Sequence, residues 1–261
     1  MTERHTTFPS ALEAFFLVIC SWGVEYLVTC AMYDARRLLG MHDPYSLATI
    51  ARVLASGITF TALLHWKNLG YRDLFHPPRP ATGAAMLAVV PLVLLATPCL
   101  FLLMGGISEL LQAAFPPDAN ASRLCQDMLS AQLPQIIMVC VLAPVVEEML
   151  FRGIILRSFL LQYERSYAIL GSAVVFGFAH MNIYQLVGGI TFGIFAGWLY
   201  ERTRSLLPGI AMHAAINSGV MLLSNAGSAA PATDAATLAL TILPALPACY
   251  MLRRFLAAPA R

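Results

Sequence analysis

Charged residues are scarce in this chain. Asp, Glu, Lys and Arg make up 11% of its 261 residues, whereas hydrophobic residues make up 59%. Soluble domains carry about 25% charged residues, so this composition excludes an ordinary soluble protein and is typical of an integral membrane protein. The net charge of +2 is small and the Lys and Arg are scattered, which argues against a nucleic acid as partner.

Two spaced ligand motifs are also missing. The six cysteines form no CxxC and no other paired spacing, which argues against a disulfide framework or a zinc-finger pattern. All but Cys125 lie in apolar runs, where we expect small buried hydrophobic residues. No HExxH occurs, so no spacing along the chain forces a metal.

Long apolar runs dominate instead, and a window of about 19 residues predicts about eight membrane spans. We therefore expect an all-α, polytopic transmembrane helical bundle that forms a single domain over residues 1–261. The first run has no small-residue cleavage pattern, so we expect it to be a retained span. The predicted spans are 11–33, 46–66, 83–104, 134–158, 167–183, 185–201, 207–224 and 236–254.

The positions of Lys and Arg predict the orientation. If both termini are cytoplasmic, the inner segments hold eleven of these residues and the outer segments hold three. Positive residues favour the cytoplasmic side, so we predict cytoplasmic termini and a multi-pass protein of the cell membrane. Arg36 and Arg37 disagree with this pattern.

The predicted span 134–158 contains three formal charges, in the stretch "APVVEEMLFRGIIL". Each ionised residue at the centre of a bilayer costs about 2.5 to 3.5 kcal/mol on insertion scales. Glu148 and Arg152 are four residues apart with the acid first, which is the favourable order for an ion pair on one helix face. Glu147 points about 100° away around the helix. Glu148 therefore has a partner in its own helix, and Glu147 has none there.

Polar side chains also occur in two later spans. His180 ends the fifth span, with Phe176 one turn earlier on the same face, and His213 and Asn217 share a face of the seventh. A lone buried Glu or His is commonly a packing residue with satisfied hydrogen bonds. Two His, a Glu and an Asn on three helices of one small bundle are harder to explain by packing.

Such a set could hydrolyse a peptide bond. A carboxylate in a partly apolar cavity can take a proton from water, and a neutral His can share or relay that proton. A second His and an Asn amide are donors suited to an oxyanion. The same groups could instead hold a metal, since two His and one carboxylate are a familiar zinc set.

Three motifs in this sequence resemble those of the CPBP family of intramembrane endopeptidases, which includes the type II CAAX prenyl proteases. "EEMLFR" resembles its EExxxR motif, "FGFAH" its FxxxH motif and "HAAIN" its HxxxN motif. The motifs follow one another in the expected order on separate spans. The resemblance covers about residues 130–225, where we expect the catalytic core.

The resemblance implies roles for these side chains. Glu147 would be the general base that activates water, with His180 assisting, while His213 and Asn217 would stabilise the oxyanion. The supporting or substrate-contacting residues would be Glu148, Arg152 and Phe176. The family's mechanism has been described both as glutamate-dependent and as metal-dependent. We favour the first; in the second, a divalent metal such as zinc would be held by Glu147, His180 and His213.

The implied substrate is a membrane-associated protein or peptide, and a C-terminal CAAX-like or sorting signal would fit. Two other classes of function stay open. A small transporter also buries Glu and His, and a non-catalytic membrane partner, such as an immunity protein, would need no catalytic residue.

Two expectations depend on helix positions. Counting residues places His180 about two turns nearer the outer face than His213, although the mechanism needs both beside Glu147.

Glu25 in the first span and Arg52 in the second fall at similar depths, so we expect an ion pair that joins two helices. A role for this pair in substrate recognition is the alternative.

Overall fold

The structure is a computed structural model whose described residues are 7–75, 81–226 and 235–257. They form helices and connecting turns, and no strand occurs among them. Within these ranges, five helices are long and apolar enough to cross a membrane. The all-α, polytopic membrane fold is therefore confirmed, while the total of eight spans and the cytoplasmic termini stay predictions.

In the first half of the chain, the described residues form the helices α1 (Ala11–Ala35), α2 (Pro44–Lys67), α3 (Tyr71–Phe75), α4 (Ala81–Ala114) and α5 (Ala119–Met128). The later helices are α6 (Leu133–Ile137), α7 (Ala143–Glu148), α8 (Arg157–Gln162), α9 (Arg165–Phe178), α10 (Ile183–Thr203), α11 (Leu207–Asn225) and α12 (Ala235–Phe255). Two π-helical stretches, Met138–Leu142 and Met149–Leu156, fill the gaps between α6, α7 and α8. Residues 133–162 are therefore one continuous rod, called here the central helix.

Local sequence explains where several helices begin and end. Asp43 accepts the backbone N–H of Ser46 at 2.8 Å, and Pro44 occupies the first turn of α2. A short acidic cap followed by proline is a favoured helix start. The acid accepts one of the free N–H groups of the first turn, and proline has no N–H that would be left without an acceptor. Asn182 caps α10 by accepting the N–H of Gln185 at 2.8 Å.

The predicted fifth span, 167–183, is wrong at its C-terminal end. Helix α9 stops at Phe178, and its 14 residues are about 21 Å long, shorter than the roughly 30 Å hydrocarbon core. His180 lies in the turn that follows, where the N–H of His180 bonds the carbonyl of Gly177 at 3.2 Å and Met181 has a φ of 55°. Hydropathy did not detect this turn, because a window of about 19 residues averages its two polar residues, His180 and Asn182, with the apolar residues on both sides.

Two further expectations need correction. Helix α4 continues to Ala114, ten residues beyond the predicted end of the third span, and it passes through Pro91 and Pro98. The cysteines are free, as expected, but Cys20, Cys30 and Cys249 are exposed rather than buried. An apolar run indicates a membrane span without indicating which face of it packs against protein.

Helices α9 and α10 approach each other closely through small residues. A Cβ added to Gly193 would lie 2.8 Å from Cα of Ala173, and one added to Gly177 would lie 2.5 Å from the carbonyl oxygen of Leu186. Small residues allow such backbone contact between membrane helices, which association by packing requires. This contact holds the end of α9, with Phe176 and His180, against the rest of the bundle.

We predict that Gly193→Val lowers the midpoint of thermal unfolding in detergent, because the added side chain must push α9 away from α10. Overpacking of this kind costs about 1–3 kcal/mol. Gly57→Val in α2 is the matched control, since a Cβ there meets nothing within 4 Å. Equal midpoints for the two variants would contradict the close approach.

Candidate active site

A buried ion pair lies in the middle of the central helix. Nη1 of Arg152 donates to Oε1 of Glu148 at 2.7 Å, and the two side chains are 1% and 0% exposed. The pair expected from the spacing is therefore present. The guanidinium carbon of Arg152 also lies 4.6 Å from the ring centroid of Phe176 and 5.1 Å from that of Phe192. Two aromatic faces thus stabilise the cation that the carboxylate neutralises.

Gly209, in the first turn of α11, leaves room for the carboxylate of Glu148. A Cβ at this position would lie 2.7 Å from Oε2 of Glu148, closer than two such atoms approach without displacement. The absence of a side chain on Gly209 therefore allows α11 to pack directly onto the acid. Sequence reasoning did not single out this glycine, which stands four residues before His213.

His213 of α11 lies between the two acids of the central helix. Its Nδ1 is 3.3 Å from Oε1 of Glu148, and its Nε2 is 3.9 Å from Oε2 of Glu147. An ionised carboxylate can only accept, so Nδ1 carries the proton in the contact with Glu148. The ring is also 4.6 Å, centroid to centroid, from Phe192. His213 is consequently held in one orientation, with Nε2 towards Glu147.

Glu147 is the more accessible of the two acids, with 19% of its side chain exposed. Nη2 of Arg52, from α2, donates to its Oε1 at 3.3 Å. Nη1 of the same guanidinium donates to both carboxylate oxygens of Glu25, at 2.9 and 2.7 Å. The expected pair between Glu25 and Arg52 is present, but it also reaches Glu147. Sequence reasoning missed this link, because similar depth in two helices does not show which way their side chains turn.

His180 joins the site through Phe176. Nδ1 of His180 lies 3.0 Å from the carbonyl oxygen of Phe176, and the ring centroids of the two residues are 5.0 Å apart. The ring of His213 lies 5.9 Å from the same phenyl ring. Both His residues therefore contact Phe176, His180 from the turn after α9 and His213 from α11.

Asn217 holds α11 to the central helix. Its Nδ2 donates to the carbonyl of Val139 at 2.8 Å. This carbonyl lies in the first π-helical stretch, where the N–H of Ala143 bonds the carbonyl of Met138, five residues back. The next donor in that pattern would be residue 144, which is a proline and has no N–H. Because Pro144 cannot donate to it, the Val139 carbonyl is free to accept from Asn217. This bond uses one of the two amide hydrogens of Asn217.

The three candidate metal ligands do not form a metal site in this arrangement. Throughout the part of the chain that the structure describes, no three His, Cys, Asp or Glu side chains lie close enough to share an ion. Glu147 and His213 approach each other, whereas the ring of His180 packs against Phe176. The set of Glu147, His180 and His213 therefore does not fit a tetrahedral zinc centre as it stands.

The fold and the site together define a polytopic helical membrane protein with a cluster of acids, histidines and arginines buried between its helices. A family model described as type II CAAX prenyl endopeptidase Rce1-like matches residues 129–219. The matched residues contain all three motifs, so this part of the chain is similar to that family.

A curated protein of Bacillus subtilis (strain 168), named "Putative membrane peptidase YdiL", is 29% identical to this chain over 97 residues. The match covers 37% of the chain and 40% of that relative, so the chain spans less than half the relative's length. No solved structure gives a significant match. The printed descriptions of the family model and of this relative both name peptidases.

We predict that Glu148→Gln strongly destabilises the protein, because it leaves the buried charge of Arg152 without its neutralising partner. Breaking a buried pair costs about 3–5 kcal/mol. The measurement is the thermal unfolding midpoint in detergent, with Arg165→Gln as control. Arg165 pairs with Glu201 at 3.0 Å but is 44% exposed, and such surface pairs contribute about 0–1 kcal/mol. Midpoints lowered equally in both variants would contradict the prediction.

Proposed function

We propose that this protein is an intramembrane endopeptidase that hydrolyses a peptide bond in a membrane-associated protein or peptide. The observation that carries the proposal is the meeting of all three motif-bearing segments at Phe176. Arg152 of the central helix, His180 after α9 and His213 of α11 lie within 6 Å of its ring centroid. The family match supports the same activity.

Glu147 is the general base in this proposal. It takes a proton from a water molecule as the water oxygen bonds to the carbonyl carbon of the substrate, and it returns the proton to the leaving amine. Glu147 suits this task better than Glu148, because the side chain of Glu148 is 0% exposed and already bonded to Arg152. The difference in accessibility between the two adjacent acids supports the assignment.

His180 assists the base. The carbonyl of Phe176 can only accept, so Nδ1 of His180 carries the hydrogen in their contact. In the neutral ring, Nε2 is then a lone pair that can accept a proton from water or share it with Glu147. This role needs water and substrate between His180 and Glu147, since the ring of His180 packs against Phe176 and Glu147 contacts Arg52 and His213.

The oxyanion that forms on the substrate would be stabilised by His213 and Asn217. His213 would act as the imidazolium in this role, because its Nδ1–H bonds Glu148 and only the charged ring has a second N–H, at Nε2, to donate. Asn217 would donate its second amide hydrogen, because the first is bonded to Val139. Fixed donors aimed at a developing negative charge are among the strongest contributions to catalysis. Glu148 and Arg152 would act indirectly, by holding His213 and Phe176 in place.

The substrate and the setting are part of the proposal. A C-terminal CAAX-like or sorting signal is the substrate class we propose, with the protein in the cell membrane as one transmembrane domain, residues 1–261, whose catalytic core is about 130–225. We propose that no metal takes part, because Glu147, His180 and His213 do not converge as ligands. A chelator is accordingly expected to leave the cleavage rate unchanged.

The test compares the termini of membrane proteins in cells that carry the wild type, Glu147→Gln or His180→Ala. We predict that termini produced by the wild type disappear in both variants, since a positioned acid–base group contributes about 10²–10⁴-fold to the rate. The controls are Glu109→Gln and His42→Ala, which change an exposed acid and an exposed His. All five proteins must be present in the membrane in equal amounts.

The same comparison separates the other classes of function. A transporter would lose transport in Glu147→Gln while no terminus changed. A non-catalytic membrane partner would keep its function in both variants. If no terminus depends on Glu147, the protein is not the protease proposed here.

A further inference from the structure

The strongest unassigned feature is the chain of charges that joins three helices. Glu25 of α1, Arg52 of α2 and Glu147 of α7 are linked by one guanidinium, with contacts of 2.7 and 2.9 Å to the first acid and 3.3 Å to the second. Glu25 and Arg52 lie outside the family match, which begins at residue 129. No motif of the sequence therefore assigns them a role in the site.

We propose that Arg52 is a positioning residue that orients the carboxylate of Glu147, and that Glu25 orients Arg52. This inference rests on the proposed role of Glu147 as general base. It makes the hairpin of α1 and α2 a working part of the active site, although the family match lies elsewhere in the chain.

The two oxygens of Glu147 have different neighbours. Arg52 holds Oε1, whereas Oε2 faces Nε2 of His213 at 3.9 Å. A carboxylate bonded at one oxygen cannot rotate freely, so Arg52 determines which lone pairs of Glu147 face His213. A displacement of the base by about 1 Å can lower the reaction rate roughly 10²-fold.

A simple joint between α1 and α2 would not need this geometry. Nη1 alone contacts both oxygens of Glu25, which is enough to join the two helices. The second terminal nitrogen turns away from Glu25 and towards Glu147 instead. The side chain of Thr49, one turn before Arg52, also donates to the carbonyl of Pro134 at 3.2 Å. Helix α2 is thus attached to the central helix at a point other than the ion pair.

The charges around Glu147 also favour a role for Arg52 in positioning it. Glu147 and Glu148 are adjacent, and the cation of the central helix, Arg152, is bonded to Glu148. Arg52 is the cation in contact with Glu147. In a medium of low dielectric, an uncompensated carboxylate beside a second one is unfavourable. The guanidinium of Arg52 therefore places a positive charge beside the base and also fixes its direction.

The experiment uses the full chain in lipid nanodiscs and a synthetic peptide that spans a bond whose cleavage is lost in Glu147→Gln. For Arg52→Gln we expect kcat to fall about 10- to 100-fold with KM within about twofold, because Arg52 contacts the base and not the substrate. Arg52→Lys should recover part of kcat, since one donor and the charge remain. Glu25→Gln should lower kcat less than Arg52→Gln. Arg165→Gln, which breaks an ion pair between α9 and α10, should match the wild type.

A second measurement does not depend on cleavage. Dicyclohexylcarbodiimide modifies protonated carboxyl groups in membranes, and mass spectrometry of the peptide that contains Glu147 reports its rate of modification. We expect this rate to rise at least several-fold in Arg52→Gln and to stay unchanged in Arg165→Gln. This outcome supports the link between Arg52 and Glu147 even if no substrate is found.

The two failures are distinguishable. If no peptide bond depends on Glu147 but its modification rises in Arg52→Gln, the proposed function fails and the positional link stands. If cleavage depends on Glu147 while Arg52→Gln and Glu25→Gln keep the wild-type kcat, the positioning role is overturned. Unchanged modification of Glu147 in Arg52→Gln, with or without cleavage, also overturns it.

Discussion

The buried ion pair between Glu148 and Arg152 is the interaction on which the rest of the site depends. Both side chains are buried, and each charge is stable in an apolar interior only because the opposite charge lies 2.7 Å away. The packing around the pair follows from it. Gly209 makes space for the acid, Phe176 and Phe192 cover the cation, and His213 takes its orientation from the acid.

This pair also explains why two adjacent glutamates differ. They are consecutive residues of a helix, so the side chain of Glu147 points about 100° away from that of Glu148. Glu148 is bound into the packed side of the central helix, whereas Glu147 faces α2 and keeps part of its surface accessible. A structural acid and an accessible acid thus arise from neighbouring positions. The environment of each, and not its chemistry, separates their roles.

Part of this arrangement could be predicted from the sequence, because it depends on local spacing. The ion pair four residues apart and the apolar helices are examples, and both are present. The end of α9 was not predicted, since a hydropathy window averages the few residues of the turn, His180 and Asn182 among them, with long apolar segments on both sides. The bond from Asn217 to Val139 was also beyond prediction, because it depends on a π-helical stretch and on Pro144 in another helix.

The sequence by itself determined that the chain is a helical membrane protein, that three of its motifs resemble those of the CPBP family, and that Glu147 has no partner in its own helix. These properties follow from hydropathy and from the 3.6-residue period, which act over a few turns. Only the tertiary structure decided that Arg52 joins Glu25 to Glu147, and that His213 lies between the two acids of the central helix. Contacts between helices depend on rotation and depth, which a sequence pattern leaves free until small residues such as Gly193 and Gly209 bring the backbones together.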